Sequence, residues 1–241
     1  MNSVIYCENL VLEVGRKCNL HCEHCLRGEA EELTMPIETA KAILDGISAI
    51  GFITFTGGEP ALYGEEISEI VDYIIKRNIP LESFYVATNG TIFSETLFMA
   101  LVRLYAYCYE PEMCALDISD DHWHEDACTS CGVSTLYSAL SFCRKKGDMA
   151  EAVLVSEGRA AENGWGNRHM NTKLPFAYDY SNNGYLSVDL VYVNAKGDIL
   201  PDCDYSYRTQ ETMDAYNIAD VLSKKMALTE IFENYNRRNK E

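Results

Sequence analysis

The chain has 241 residues, 47% apolar and 24% charged, the length and balance of one soluble domain with a full-sized core. Runs of about 18 apolar residues, which a membrane-spanning helix needs, do not occur, so no membrane association is expected. Acidic residues number 37 against 20 basic ones, a formal charge of −17 with no basic stripe in view, so nucleic acid is disfavoured as a partner. The surplus suits a basic or neutral peptide or a small molecule, and by itself also serves solubility. Met1–Glu8 lacks a basic stretch followed by an apolar one, so no secretory leader is expected and the location is expected to be cytoplasmic. Ten cysteines in such a chain point to reduced thiols or a metal centre, not to a disulfide framework.

In chain order, Leu10–Val14 reads as a first strand, followed directly by a cysteine cluster. Pro36 opens a helix whose apolar face is Ile37, Ala40, Ile43, Leu44 and Ile47, and Gly51 ends it. Phe52–Phe55 is a short buried strand ending at Thr56-Gly57-Gly58-Glu59-Pro60, and Glu65–Arg77 is an amphipathic helix. Ser83–Ala87 is a strand ending at Thr88-Asn89-Gly90, and Ser94–Tyr105 is a helix with Ser94 as its N-cap. Cys114–Ile118 is a strand ending at Ser119-Asp120-Asp121, Ser134–Lys145 a helix, and Ala152–Val155 a strand ending at Ser156-Glu157-Gly158-Arg159. Ala160–Gly184 then has few helical signals, and its length favours a functional loop or lid. Leu186–Val193, the Asn194–Asp198 turn and Ile199–Leu200 read as a strand and hairpin, and Ala219–Asn236 as a final helix.

Strands alternating with amphipathic helices predict a parallel sheet with helices packed on it. The expected fold is α/β, a partial (β/α)6 TIM-like barrel with a C-terminal hairpin and helix. One domain is expected over 1–241, with the barrel core at 8–185 and the last strand, hairpin and helix at 186–241. Polar and glycine residues recur just after the strands, the rim where parallel α/β folds bind ligands.

Cys18-Asn19-Leu20-His21-Cys22-Glu23-His24-Cys25 carries the strongest chemical signal, a C-x3-C-x2-C spacing. Three thiolates on a short loop suit an iron–sulfur cluster with one iron left open to a ligand. A zinc site completed by His21 or His24 is the competing reading. Asp120-Asp121-His122-Trp123-His124-Glu125 is dense in acids, bases and aromatics, suited either to substrate or proton handling or to a solvated loop anchored by its tryptophan. Cys128 and Cys131 form a C-x2-C pair, and Cys203 stands alone after the hairpin.

The cysteine motif resembles that of the radical S-adenosylmethionine (SAM) superfamily, including its Cys-Asn-Leu and His-Cys details. Gly57-Gly58-Glu59-Pro60 resembles the same family's motif for the SAM amino group, one helix and one strand further on. The resemblance covers about residues 8–204. It implies a [4Fe–4S] cluster on Cys18, Cys22 and Cys25, with SAM as the second cofactor. It further implies Gly57, Gly58 and Glu59 at the methionine ammonium, Ser119 at the ribose, and Arg159 of Gly158-Arg159-Ala160 at the SAM carboxylate. Reductive cleavage of SAM would yield a 5′-deoxyadenosyl radical that abstracts hydrogen from a substrate, with an electron donor such as flavodoxin or ferredoxin. Asn194–Cys203 resembles the hairpin that opens the auxiliary-cluster domains of the peptide-modifying branch, which favours a peptide or protein substrate. No cysteine follows Cys203, so one cluster is expected, and Cys128, Cys131 and Cys203 are read as free thiols. Other readings are a glycyl-radical-enzyme activase, a small-molecule or nucleotide-modifying enzyme of the same superfamily, an iron–sulfur electron carrier, and a zinc-binding interaction module.

Overall fold

The computed structural model describes residues 4–124, 133–147, 154–181, 185–224 and 226–239. A single mixed sheet organises them. Its central strand β1, Val4–Gly15, runs parallel to β2, Ala49–Gly57, on one side, and to a later strand, Tyr185–Val193, on the other. Beyond β2 lie β3 (Leu81–Thr88), β4 (Ala115–Ser119) and β5 (Cys143–Lys146), all parallel. A short strand β6, Tyr178–Tyr180, pairs antiparallel with the later strand Tyr185–Val193, which is β7. β8, Asp198–Leu200, and β9, Tyr216–Asn217, continue the sheet antiparallel past β7. Six strands among the described residues therefore run parallel, in the order β5-β4-β3-β2-β1-β7. This is the expected α/β architecture of a partial TIM-like barrel.

Helices α1 (Ile37–Asp45), α2 (Gly64–Arg77) and α3 (Glu95–Tyr107) pack on the sheet. Each has the local chemistry of a helix. α2 carries Glu65 and Glu66 in its first turn and Lys76 and Arg77 in its last, both matched to the helix dipole, and ends on Asn78 at φ +51°. Ser94 caps α3 as expected, its hydroxyl accepting from Leu97 N at 3.1 Å. Ile43, Ile67, Ile74, Leu97 and Leu104 meet Ile53, Phe55, Phe84 and Leu116 in one fully buried core. No helix among the described residues is long and apolar enough to cross a membrane.

Four expectations need correction. The first helix ends at Asp45, and Gly51, expected to end it, lies within β2. The helix expected over Ser134–Lys145 is only α4, Val133–Tyr137, and the chain then turns into β5. Tyr137, Leu140 and Phe142 are the buried residues there, a spacing that does not hold one helical face. Arg144-Lys145-Lys146 are exposed, as suits a charged edge strand. The strand expected at Ala152–Val155 falls partly outside the described residues. Val155 makes an isolated bridge with Arg168, and α5, Gly158–Glu162, follows. The final helix is two helices: after the short α6, Tyr207–Gln210, come α7, Ile218–Lys224, and α8, Leu228–Arg238. Leu222 is exposed, whereas Leu228, Ile231, Phe232 and Tyr235 form a buried stripe that starts afresh at Leu228.

Candidate functional site

Parallel strands place their ends on one rim, and four of them deliver the candidate residues. The loop after β1 carries Cys18, Cys22 and Cys25, and β2 ends at Gly57 with Gly58 and Glu59 next. β3 ends at Thr88 and β4 at Ser119.

The two glycines are explained by packing of backbone on backbone. Gly57 has φ +140°, and a Cβ there would lie 2.0 Å from Gly15 O; at Gly58 it would lie 1.9 Å from Lys17 O. Gly58 N donates to Gly15 O at 3.0 Å and Glu59 N to Lys17 O at 2.8 Å. Gly57-Gly58 thus lets the second strand's end lie flat against the start of the cysteine loop. Tyr63, in the 3-10 turn Pro60–Tyr63, pins the same loop: its hydroxyl accepts from Lys17 N at 2.6 Å and donates to Leu33 O at 3.0 Å.

Glu59 is 2% exposed. Its Oε1 accepts from Ala61 N at 3.0 Å and from the Thr88 hydroxyl at 2.5 Å, and its Oε2 accepts from Asn89 N at 2.9 Å. Burial pushes this carboxyl above the usual range, and these three hydrogen bonds pull it back. Oε2, with a single protein donor, keeps acceptor capacity for another. Asn89 also donates to Asn19 Oδ1 at 3.0 Å, and Asn19 donates to the Thr91 hydroxyl at 2.8 Å. The Thr88-Asn89-Gly90 turn therefore links Glu59 to the cysteine loop.

The three cysteines are half-buried and free of disulfides. Burial raises the Cys18 thiol, with the charges of Glu59 and Cys25 adding and Arg159 opposing. Cys22 is pushed up to about 11, first by burial and then by Cys25 and Cys18. The thiols lie within electrostatic reach of one another, and a cationic iron centre would relieve both costs by binding them as thiolates. Three disulfide-free cysteines on the single loop that follows β1 are a donor set that fits a cluster.

An aromatic group closes around Cys22. His124 Nε2 lies 3.6 Å from Cys22 Sγ, and its Nδ1 lies 2.7 Å from Asp121 Oδ1. His24 stacks on Trp123 at 5.1 Å and meets His124 edge-on at 5.2 Å, and Trp123 meets Trp165 at 4.5 Å. Burial lowers His24 to about 4, with His124 adding to the effect. The loop after β4 thus reaches Cys22 through His124, and Trp165, from the segment after α5, packs on Trp123 of that loop.

Arg159 is also present, but aimed elsewhere than expected. It is 7% exposed, and its Nε and Nη1 donate to the carbonyls of Cys22, at 2.8 Å, and Gly28, at 2.6 Å. Ser119 ends β4 on the same rim, half-buried, outside this hydrogen-bond set. Glu157 turns away to α6, accepting from Ser206 N at 3.1 Å and the Thr209 hydroxyl at 2.6 Å. Cys203 sits in the turn Asp202–Asp204, pushed up to about 12 by burial. Cys128 and Cys131 lie outside the described residues, so a second cluster with Cys203 is not addressed by the structure.

Tyr63, Asn19 and His124 had no partners assigned by sequence reasoning. Asn19 and His124 stand in segments whose composition drew notice, whereas nothing marked Tyr63. A buried set of Glu13, Arg16, Tyr192 and Gln210 behind the loop also went unseen.

A parallel sheet with a three-thiol loop, a buried carboxylate and a double glycine on one rim defines a metal- and cofactor-dependent enzyme site. The sequence profile described as the Radical SAM superfamily matches residues 12–138, more than half the chain, and the chain belongs to that superfamily. It is a radical SAM enzyme, a class whose members bind a [4Fe–4S] cluster and SAM. An uncharacterized protein of Methanocaldococcus jannaschii is 33% identical over 94 residues, 37% of this chain and 33% of that one. An AdoMet-dependent heme synthase of Nitratidesulfovibrio vulgaris is 35% identical over 92 residues, 36% of this chain and 24% of the relative. A GTP 3′,8-cyclase of Chlorobaculum tepidum is 35% identical over 91 residues, 36% of this chain and 27% of the relative. The matched segment spans a third or less of each of these relatives. Among solved structures, native anSMEcpe with bound AdoMet and Cp18Cys peptide superposes with a TM-score of 0.55 at 14% identity, over 98% of this chain and 82% of that one. At that identity the likeness establishes the fold.

Proposed function

We propose that Cys18, Cys22 and Cys25 hold one [4Fe–4S] cluster, that SAM binds beside it against Gly57–Glu59, and that the substrate is a peptide or protein. When bound and reduced, the cluster supplies one electron to the SAM sulfonium, giving methionine and a 5′-deoxyadenosyl radical that takes a hydrogen atom from substrate. The observation that carries this reading is the convergence of three half-buried thiols with the buried Glu59 on one strand-end rim. The zinc alternative is less well supported: His21 is turned to Glu29 at 3.6 Å in solvent and His24 is stacked on Trp123.

Within that frame the chain's residues have distinct tasks. Glu59 Oε2 offers an acceptor to the methionine ammonium, a charge-assisted hydrogen bond. Ser119 faces the rim as a ribose contact. Trp123, His24 and Trp165 form an aromatic wall that excludes water from the reacting centre. A peptide substrate is supported by the hairpin β7–β8, formed as expected, and by the peptide held in the superposable structure. The electron comes from an external donor of flavodoxin or ferredoxin type, and a cytoplasmic location suits the oxygen sensitivity of the cluster.

Anaerobic reconstitution should load about four irons per chain, and dithionite-reduced protein should convert SAM to 5′-deoxyadenosine. Fully loaded, reduced protein that bound SAM and formed none, even with its true substrate, would refute the radical reading. Glu59→Gln gives a graded test. Its amide oxygen keeps the Ala61 and Thr88 bonds, but its NH2 group faces Asn89 N and offers the ammonium no acceptor. Losing one charge-assisted hydrogen bond costs about 1.5–3 kcal/mol, so SAM affinity should fall roughly 10- to 150-fold with the cluster's absorbance kept. Unchanged SAM affinity, read by equilibrium binding, would remove Glu59 from the ammonium site.

A further inference from the structure

α5 and the residue that ends it grip the cysteine loop from outside the sheet. Four backbone carbonyls of that loop accept hydrogen bonds from two residues. Arg159 Nε donates to Cys22 O at 2.8 Å, its Nη1 to Gly28 O at 2.6 Å, and its backbone N to Cys25 O at 2.9 Å. Asn163 Nδ2 donates to Glu23 O at 3.0 Å. The approach is close enough to require glycine at 158. Gly158 has φ +53°, and a Cβ on it would lie 2.5 Å from both Gly28 N and Leu26 O and 2.7 Å from Cys25 O. The loop's own bonding between Cys22 and Cys25 is sparse: Cys25 N donates to Cys22 O at 3.2 Å. A short loop with so little internal bonding takes its shape from what holds its carbonyls.

We propose that Arg159 and Asn163 are positioning residues that set the shape of the cysteine loop, and through it the spacing of its three sulfurs and the environment of the cluster. The inference rests on the assignment of Cys18, Cys22 and Cys25 as cluster ligands. It gives Arg159 a task other than pairing with the SAM carboxylate, because two of its guanidinium nitrogens are committed to loop carbonyls. Outer partners of this kind orient metal ligands, and their loss typically weakens metal binding by about 10- to 100-fold. The guanidinium also places a buried cation beside the loop, offset only in part by the exposed Glu29, whose Oε1 lies 3.3 Å from Nη1, and a cation there favours the more negative, reduced form of a cluster. Asn163 supplies a hydrogen bond without charge, so the two residues separate shape from electrostatics. Lysine at 159 keeps the charge but not the planar fork that meets two carbonyls at once.

The test uses anaerobically reconstituted full-length protein, with Arg159→Gln, Arg159→Lys and Asn163→Ala beside wild type. Folding is checked by circular dichroism. The readouts are iron retention against a chelator, the electron paramagnetic resonance spectrum of the reduced cluster, and its midpoint potential. Arg159→Gln should weaken iron retention about 10- to 100-fold, alter the spectrum and shift the potential to more negative values. Arg159→Lys should recover the potential but only part of the retention, and Asn163→Ala should lose retention with the potential unchanged. Wild-type spectra, potential and retention in Arg159→Gln and Asn163→Ala would overturn the proposal. So would an Arg159→Gln protein that keeps all three and loses only SAM affinity, which would return Arg159 to the SAM carboxylate. If Arg159→Gln fails to fold, Arg159→Lys and Asn163→Ala decide the matter by the same readouts. A wild-type chain that takes up no [4Fe–4S] cluster would instead remove the assignment of the cysteines, a failure seen before any substitution is made.

Discussion

Replacing Cys22 with alanine is expected to abolish the bound cluster and all SAM cleavage while leaving the fold intact. With three thiolates as its protein ligands, a cluster that loses one has two anchors, too few to keep an intact four-iron core in the presence of a chelator. The fold should not follow. Cys22 is half-buried on a loop, and its backbone carbonyl, which holds Arg159 Nε and Cys25 N, is untouched by the change. The substitution removes the sulfur that His124 Nε2 approaches at 3.6 Å, and His124 keeps Asp121. Apo-protein stability should therefore change by less than about 0.5–1 kcal/mol. The measurement is iron per chain after anaerobic reconstitution, together with the thermal midpoint of the metal-free protein. About four irons retained in Cys22→Ala would show that the cluster is held elsewhere. The Cys18, Cys22 and Cys25 triple alanine variant asks a second question. If wild type holds about eight irons and the triple variant about four, Cys128, Cys131 and Cys203 are ligands of an auxiliary cluster after all.

Much of this rim was legible because its signals are local. C-x3-C-x2-C, Gly57-Gly58-Glu59-Pro60 and the polar residue at the end of each strand are readable from spacing. Parallel α/β geometry then requires them to share a face. The packing that requires the double glycine was not legible. Gly57 and Gly58 are small because Gly15 and Lys17 lie against them, an approach of strand ends 42 residues apart that no local pattern encodes. Arg159 was noticed for its neighbours in sequence, yet its partners are Cys22 and Gly28, more than 130 residues away. β5 was misread because an edge strand rich in Arg and Lys lacks the alternation of a half-buried strand. The split of the last helix was readable: Leu228, Ile231, Phe232 and Tyr235 fall at steps of three, one and three along one helical face that Leu222 does not join.

Removing one partner from the buried set of charges behind the cysteine loop should destabilise the fold strongly. Arg16, two residues before Cys18, is wholly buried beside an equally buried Glu13, with Nε 2.7 Å from Glu13 Oε1. Its Nη1 reaches Glu31 at 3.0 Å and Glu211 at 3.6 Å, and its Nη2 donates to Gln210 Oε1 at 2.9 Å. Glu13 in turn accepts from Ala195 N at 3.0 Å, from Gln210 Nε2 at 3.2 Å and from the Tyr192 hydroxyl. One guanidinium thus serves three carboxylates and ties β1 to the hairpin and to α6, in a chain already burdened with a net charge of −17. Arg16→Met keeps most of the volume and removes the cation. Glu13 is then left buried without its counter-charge, a change that typically costs about 3–5 kcal/mol. Against a total stability of about 5–15 kcal/mol, this should lower the denaturation midpoint sharply and loosen the base of the cysteine loop. Adding Glu13→Gln removes the stranded charge while its amide oxygen still accepts from Ala195 N, so the double variant should be more stable than Arg16→Met alone. Denaturant titrations of the metal-free wild type, the two single variants and the double variant give the coupling directly. A midpoint for Arg16→Met within error of wild type would mean that Glu13 is stabilised without Arg16, by Ala195 N, Gln210 and Tyr192.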